Sequence, residues 1–233
     1  MPMKLIHSPL IHIALVLAMP VPGFTAPAAQ DELTFMVSLD DRPIGTHRWR
    51  IAENGGRHVV ESTAEFDVRI LQVPVYRYRH RATETWQNGC LQRIESQTDA
   101  NGARYAVDLN KTAAGYRIAT SNQTVTHAAD CLMSFAYWDR RFLQQSRLLN
   151  PQTGEVVAVQ VEPLGESQRR IGQRMLAVEG FHILAKSQNV NIQVFYHRAD
   201  GRWVALESVL ENGRTLHYAA VEPDRLALDR ARG

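Results

Sequence analysis

The stretch 131–155, CLMSFAYWDRRFLQQSRLLNPQTGE, differs from a chain whose other parts consist of short alternating segments and tight turns. Its apolar residues follow steps of three to four positions, as in a helix, rather than the alternation of a strand. Asp139 suits a helix N-cap, and Asn150-Pro151 is typical of a turn that ends the segment. The pattern predicts a helical element over residues 131–147.

Segments of alternating apolar and polar residues flank this stretch on both sides. Residues 33–39 are one example, and Asn-Gly or Asp-Gly pairs separate many of the later segments. Consecutive hairpins form an antiparallel meander, and a sheet of about ten or more strands must curl, split or close. Residues 131–147 are the only candidate to cover the concave face of such a sheet. We therefore predict a mainly β fold, an antiparallel meander curled into a partial barrel over one short helical segment.

Composition limits the classes of function. The 233 residues are 45% hydrophobic and 21% charged, which is ordinary for a globular domain with a hydrophobic core. The formal net charge of +2 gives no electrostatic reason to expect a nucleic-acid partner, which requires a strongly basic face.

The N-terminal residues have the pattern of a secretory signal peptide. Lys4 supplies a positive start, residues 10–21 an apolar middle, and Ala26-Pro27-Ala28 a small-x-small cleavage site. The alternative is a buried N-terminal core segment. We predict a signal peptide over 1–28, a single β-rich domain over 29–222 and a flexible tail over 223–233. The protein is then periplasmic, with no transmembrane segment after leader removal.

Two cysteines, Cys90 and Cys131, follow the predicted leader. In an oxidising compartment such a pair is most often one disulfide. Closing the loop between them would stabilise the fold by about 4 kcal/mol in the chain-entropy model. The alternative is a reactive thiol near His127.

The segment 75–86 alternates two kinds of side chain. Arg77, Arg79 and Arg81 lie on one face and suit an anionic headgroup or carboxylate, while Tyr76 and Tyr78 lie on the other. For the arginines, the alternative is a solvated face paired with carboxylates of neighbouring strands. For the tyrosines, it is the edge of the core.

Aromatic residues of the central stretch are the second candidate site. Phe135, Tyr137 and Trp138 suit either core packing or the wall of an apolar ligand pocket. A curled sheet under a small lid often leaves an apolar cavity, so we expect an open cavity between the sheet and the helical segment, with Tyr76 and Tyr78 as further ligand contacts. The sequence shows no catalytic motif, no paired metal ligands and no cofactor loop, so no catalytic residue, metal or cofactor is predicted.

Several motifs resemble a family of exported proteins of Gram-negative bacteria that is described only as a domain of unknown function. They cover nearly all of the chain after the leader: Tyr78-Arg79-His80, Glu84-x-Trp86, Asn88-Gly89-Cys90-Leu91, the run 134–139, the run 148–154 and the run 200–207. The resemblance implies no activity and no site residue. The final hairpins are more loosely similar to periplasmic lipoprotein carriers, which hold acyl chains on a curved sheet.

From these observations we predict non-catalytic binding of an apolar or lipid-like small molecule, or of an envelope protein. One alternative is a secreted enzyme whose site is assembled from separate strands, marked by a buried histidine or carboxylate with a perturbed pKa. The other is a structural envelope protein, marked by a filled barrel and a large exposed apolar patch.

Overall fold

The computed structural model describes residues 29–70, 73–185 and 189–221. The predicted signal peptide and the predicted tail lie outside the described residues. The described strands are β1 Ala29–Leu39, β2 Arg42–Asn54, β3 Arg57–Ile70, β4 Val73–Gln87, β5 Cys90–Ala100, β6 Ala103–Thr112, β7 Gly115–Thr120, β8 Thr124–His127, β9 Met133–Ser134, β10 Arg147–Leu149, β11 Val156–Ala158, β12 Gln160–Ile171, β13 Arg174–Ala185, β14 Val190–His197, β15 Trp203–Val209 and β16 Thr215–Ala220.

Thirteen strands form one antiparallel sheet in the order β12-β13-β14-β15-β16-β1-β2-β3-β4-β5-β6-β7-β8. The first strand pairs with the last, which joins two meanders into a single sheet. Strands β8 and β12 are its free edges. The sheet is curled, because residues from distant strands, such as Ile118 on β7 and Val194 on β14, belong to one core cluster. The predicted antiparallel partial barrel is confirmed.

The chain between β8 and β12, residues 128–159, connects the two free edges and fills part of the concave face. We call it the filling segment. Within it β9, β10 and β11 form a small three-stranded sheet, with β9 parallel to β10. Its apolar side chains Phe142, Leu148 and Leu149 are completely buried in the main core. A connection between opposite sheet edges thus also supplies much of the core.

The helix predicted over residues 131–147 is wrong for most of its length. Only Arg140–Gln144 is helical, as a short 3-10 helix whose N-cap, Asp139, accepts a hydrogen bond from the Arg141 N–H as expected. A helix satisfies its own backbone, whereas this segment bonds to the surrounding sheet. The Leu91 N–H donates to the Leu132 carbonyl, and the Leu132 N–H to the Tyr116 hydroxyl, both at 3.0 Å. Apolar spacing here reflects burial against a concave sheet.

Cys90 and Cys131 form the predicted disulfide, with their Cα atoms 5.1 Å apart. The bond joins the start of β5 to the filling segment beside the Leu91–Leu132 hydrogen bond. We call this end of the barrel the disulfide end. No helix in the described part of the chain is long and apolar enough to cross a membrane.

Candidate functional site

The concave face differs between its two ends. At the disulfide end the filling segment covers the inward side chains, and Trp86, Leu91 and Ile94 are at most 1% exposed. Further along β3 and β4, the inward Phe66 and Tyr78 remain half-buried. The expected opening between the sheet and the central segment is therefore wrong at the disulfide end, where the interior is packed. The inner face is accessible at the opposite end.

Six side chains from four strands and the filling segment meet at this accessible end. Ring centroids of five of them are close: Phe66 stacks on Tyr78 at 5.2 Å, and His47 lies 5.9 Å from Tyr218 and 6.5 Å from His80. Tyr137 of the filling segment lies near enough to Tyr78 and Tyr218 for the phenols to interact electrostatically. Alternation along each strand turns these residues to the same face as the core. We call the group the aromatic–histidine cluster: His47, Phe66, Tyr78, His80, Tyr137 and Tyr218.

Hydrogen bonds fix several members of the cluster. His47 Nε2 lies 2.7 Å from the Ser62 hydroxyl, and His80 Nδ1 lies 2.8 Å from the Thr98 hydroxyl. The Tyr78 hydroxyl donates to Gln152 Oε1 of the filling segment at 3.0 Å. His47 Nδ1 is buried without a hydrogen-bond partner in the described part of the chain. A buried polar atom without a partner is costly, so this nitrogen is an unmet hydrogen-bonding position within the cluster.

The cluster is electrically neutral near pH 7. Burial lowers the pKa of His80 to about 4. Burial, and then the nearby His80 charge, lower the pKa of His47 well below its ordinary value. Burial also raises the pKa of the phenols of Tyr78, Tyr137 and Tyr218. Nearby phenols raise them further: Tyr76 acts on Tyr78, Tyr78 acts on Tyr137, and Tyr78 and Tyr137 act on Tyr218. The accessible surface therefore favours uncharged molecules with apolar or aromatic parts.

Two of the predicted ligand contacts, Tyr78 and Tyr137, belong to the cluster. Phe135 packs against the main core, with its ring 6.3 Å from that of Tyr137. Trp138 packs instead against Trp86 at the disulfide end, with centroids 5.5 Å apart. Tyr76 lies two residues beyond Tyr78 on β4 and is exposed. The structure thus brings only some of the predicted residues together.

The predicted anion-binding residues Arg77, Arg79 and Arg81 lie on the outer face of β4 and are exposed. Arg81 makes a long ion pair of 3.9 Å with Glu65. Because strand alternation places these guanidinium groups opposite Tyr78, they do not reach a molecule on the inner face. The apolar and anionic candidate sites are therefore separate.

The outer surface of the described residues carries at least two grooves. One, of about 730 Å³, crosses β3 to β7 and includes Arg81 together with the carboxylates of Glu61, Glu95 and Asp108. The other, of about 530 Å³, separates β1 and β16 from the β12–β13 hairpin and includes Met36. Neither groove includes a member of the aromatic–histidine cluster.

Sequence reasoning did not select His47, Phe66, His80 and Tyr218 as site residues. The sequence does contain a signal for the two histidines. Each lies two residues from an aromatic residue in a predicted strand, Trp49 for His47 and Tyr78 for His80, and therefore shares that residue's face of the sheet. A titratable residue on the inward face of a strand is unusual, and it indicates a candidate functional site.

Comparisons with known proteins agree with the fold. The family model described as "Domain of unknown function (DUF6134)" matches residues 35–221. Among solved structures, the chain is similar to the "Beta-barrel-like Protein of Domain of Unknown Function DUF1849 from Brucella abortus", with a TM-score of 0.59 and 9% identity, covering 84% of this chain and 97% of that one. At this identity the likeness concerns the fold alone. A search of the curated proteins finds no match.

Proposed function

The chain belongs to the DUF6134 family of domains of unknown function, and from its site geometry we propose that it binds an apolar or amphiphilic, lipid-like molecule without chemical conversion. The proposal rests on one observation: the inner face stays accessible at one end and is lined there by neutral aromatic side chains. Phe66, Tyr78 and Tyr218 offer ring surface to an apolar body, and His47 Nδ1 offers one polar contact.

The ligand class follows from the charges. An ionised headgroup on the inner face would lack a counter-charge, because the arginines of β4 point outward and the histidines are neutral. Desolvating an unpaired charge is costly, so charged molecules are disfavoured. We expect an uncharged head and an apolar or aromatic tail.

Export to an oxidising compartment is part of the proposal. It is supported by the leader pattern of residues 1–28 and by the pairing of Cys90 with Cys131, since structural disulfides persist in such compartments. Fractionation of cells that produce the full chain tests this. Recovery of a shortened, disulfide-bonded chain from the periplasm is expected, and retention of the full-length reduced chain in the cytoplasm would contradict it.

Binding is tested with the environment-sensitive probe N-phenyl-1-naphthylamine and with native mass spectrometry of the purified chain. Tyr78→Ala removes a ring of the site and should weaken probe binding by about tenfold, the effect of losing one well-packed aromatic contact. The matched control, Arg79→Ala, changes the neighbouring residue on the outer face and should bind as wild type. Tyr78→Phe keeps the ring and should also retain binding.

Thermal unfolding of each variant separates loss of binding from loss of folding. Equal probe affinities for Tyr78→Ala and Arg79→Ala, both folded, would refute the inner-face site. A reproducible extra mass that extracts into organic solvent would identify the ligand class directly.

One observation favours the enzyme alternative. The Ser62 hydroxyl and His47 Nε2 are at the distance of a nucleophile and its base. However, no carboxylate holds His47 Nδ1 in the described part of the chain, and burial disfavours the imidazolium that catalysis requires. We therefore expect no labelling of Ser62 by a fluorophosphonate probe, and labelling that His47→Leu abolishes would establish the enzyme instead.

A further inference from the structure

The β3–β4 hairpin projects beyond its neighbours at the accessible end of the barrel. Pairing of β2 with β3 stops at Gly45 and Phe66, and pairing of β4 with β5 stops at Tyr78 and Ala100. Past these points the strand ladder continues only between β3 and β4, and the β5–β6 turn adds one backbone contact, in which the Asn101 N–H donates to the Arg77 carbonyl at 2.7 Å. The residues at 67–70 and 73–77 thus form a two-stranded tip. Tyr76, on its β4 side, lies two residues from Tyr78 of the ligand site.

The tip exposes apolar side chains. Val73 is 61% exposed, Val75 45% and Tyr76 38%, and Tyr105 of β6 lies close enough to Tyr76 to affect its pKa. Val75 is the extra residue of a β-bulge, since Val68 pairs with Tyr76 and Arg69 with Pro74. Exposed apolar residues gathered at one projecting point mark an interaction surface.

Arginines lie directly behind these apolar residues. The tip and the strand positions next to it carry five arginines and three carboxylates, an excess of two positive charges: Arg69, Arg77, Arg79, Arg81 and Arg104 against Glu65, Asp67 and Asp99. Asp67 pairs with Arg69 at 2.9 Å. Within the described residues, the guanidinium groups of Arg77 and Arg79 make no ion pair within 4 Å. Both face outward, and none of the carboxylates opposite them in register, Asp67 for Arg77 and Glu65 and Asp99 for Arg79, holds either of them in an ion pair.

We propose that the β3–β4 tip docks on the surface of an anionic phospholipid bilayer. The valines enter the boundary of the acyl chains, Tyr76 and Tyr105 lie at headgroup level, and Arg77 and Arg79 meet lipid phosphates. This inference goes beyond the proposed ligand binding, which does not require a membrane. It also places the accessible end of the inner face against the bilayer.

A bilayer fits these residues better than a protein does. The four exposed apolar side chains offer roughly 300 Å² in total, against about 800 Å² per partner in a stable protein interface. A second copy of the chain would bring two arginine rows together, which like charge disfavours. In the tip the apolar residues lie outermost, with tyrosine and arginine behind them. This is the order found at membrane interfaces.

Vesicle flotation tests the proposal with the purified chain. Wild type should float with vesicles of phosphatidylcholine mixed with phosphatidylglycerol, weakly with phosphatidylcholine alone, and less as salt is raised. V73D combined with V75D should lower the vesicle partition coefficient by at least about tenfold. R77Q combined with R79Q should remove the preference for phosphatidylglycerol.

The matched control is L164D combined with M175D, since Leu164 and Met175 are similarly exposed on the distant β12–β13 hairpin at 47% and 55%. This control should float as wild type. Unchanged flotation of V73D/V75D, an equal loss in L164D/M175D, or no flotation of wild type on either lipid would overturn the proposal. A dimer that V73D/V75D dissociates, without vesicle binding, would assign the tip to self-association and overturn it too.

Probe binding separates this proposal from the proposed function. V73D/V75D should bind N-phenyl-1-naphthylamine in solution as wild type does, because the aromatic–histidine cluster lies deeper in the barrel. Flotation of wild type without any probe binding would support membrane docking and refute the ligand site. Probe binding without flotation would support the ligand site and refute membrane docking.

Discussion

The buried carboxyl of Glu84 should make the protein less stable as pH rises. Glu84 lies on the inner face of β4 at the disulfide end, where it is 7% exposed. The Trp86 Nε1–H donates to its Oε2 at 2.9 Å, and the Ser134 hydroxyl of the filling segment lies 3.3 Å from both oxygens. Burial raises the pKa of Glu84 to about 7, although the hydrogen bonds from Trp86 and Ser134 act in the opposite direction.

The sign follows from the two states. In the unfolded chain the pKa of Glu84 is near 4.5. Between about pH 4.5 and 7, the folded protein therefore keeps a proton on Glu84 that the unfolded chain has lost. The stability linked to this proton is fully present below 4.5 and is lost as pH rises through the folded pKa. A difference of about 2.5 pKa units corresponds to about 3 kcal/mol.

Glu84→Gln removes the titration and keeps the shape. Its amide oxygen can accept from Trp86 and its amide nitrogen can donate to the Ser134 hydroxyl. The variant should match wild type at about pH 5 within roughly 1 kcal/mol and exceed it by about 3 kcal/mol at about pH 8. Urea unfolding followed by tryptophan fluorescence, with the disulfide intact, measures both values.

Comparison of the two proteins is needed because the buried histidines act in the opposite direction. The lowered pKa values of His47 and His80 favour folding more as pH rises toward 6.5, which offsets part of the Glu84 effect in wild type. Glu61→Gln, an exposed carboxylate on β3, is the matched control and should keep the wild-type profile. Parallel profiles for wild type and Glu84→Gln from about pH 5 to 8 would refute the reasoning.

Two further predictions concern the site and the filling segment. Folding keeps His80 neutral with a pKa of about 4, so the free energy of unfolding of wild type should fall by about 3 kcal/mol between about pH 6.5 and 4. His80→Asn should remove this fall. Urea unfolding across the range measures it, and an acid slope equal to that of wild type would contradict it. Replacing Cys90 and Cys131 together by serine should lower the free energy of unfolding by up to about 4 kcal/mol, the loop-closure entropy of a sequence separation of 41 residues; equal urea midpoints with and without the disulfide would contradict it.

The general architecture could be predicted because it depends on local signals. Alternation such as that of residues 33–39 and turn pairs such as Asn101-Gly102 specify strands and hairpins, and the number of hairpins requires a curled sheet. Glycine at 102, with φ of +94°, adopts the conformation that the turn pair implies. The disulfide was predictable because the sequence holds only two cysteines.

The filling segment and the site were harder because they depend on long-range contacts. Leu132 and Phe142 have helical spacing but contact different parts of the concave face, so periodicity gave the wrong secondary structure. Tyr78 and Tyr218 are far apart in sequence and meet only because β16 pairs with β1. No spacing rule in a single sequence contains that pairing.

The two proposed functional regions and the buried Glu84 are ordered along one strand. At about 3.3 Å per residue, the fifteen residues of β4, Val73–Gln87, extend roughly 50 Å. Val73 and Val75 lie in the tip, and Tyr78 and His80 lie in the aromatic–histidine cluster. Glu84 lies where β4 hydrogen-bonds to Ser134 of the filling segment. Glu84 is roughly 30 Å along the strand from Val75, beyond the range at which substitutions usually couple. The filling segment blocks the disulfide end, so the proposed ligand site and the proposed membrane contact share the opposite end. If both proposals hold, a ligand released from the site would emerge beside the bilayer.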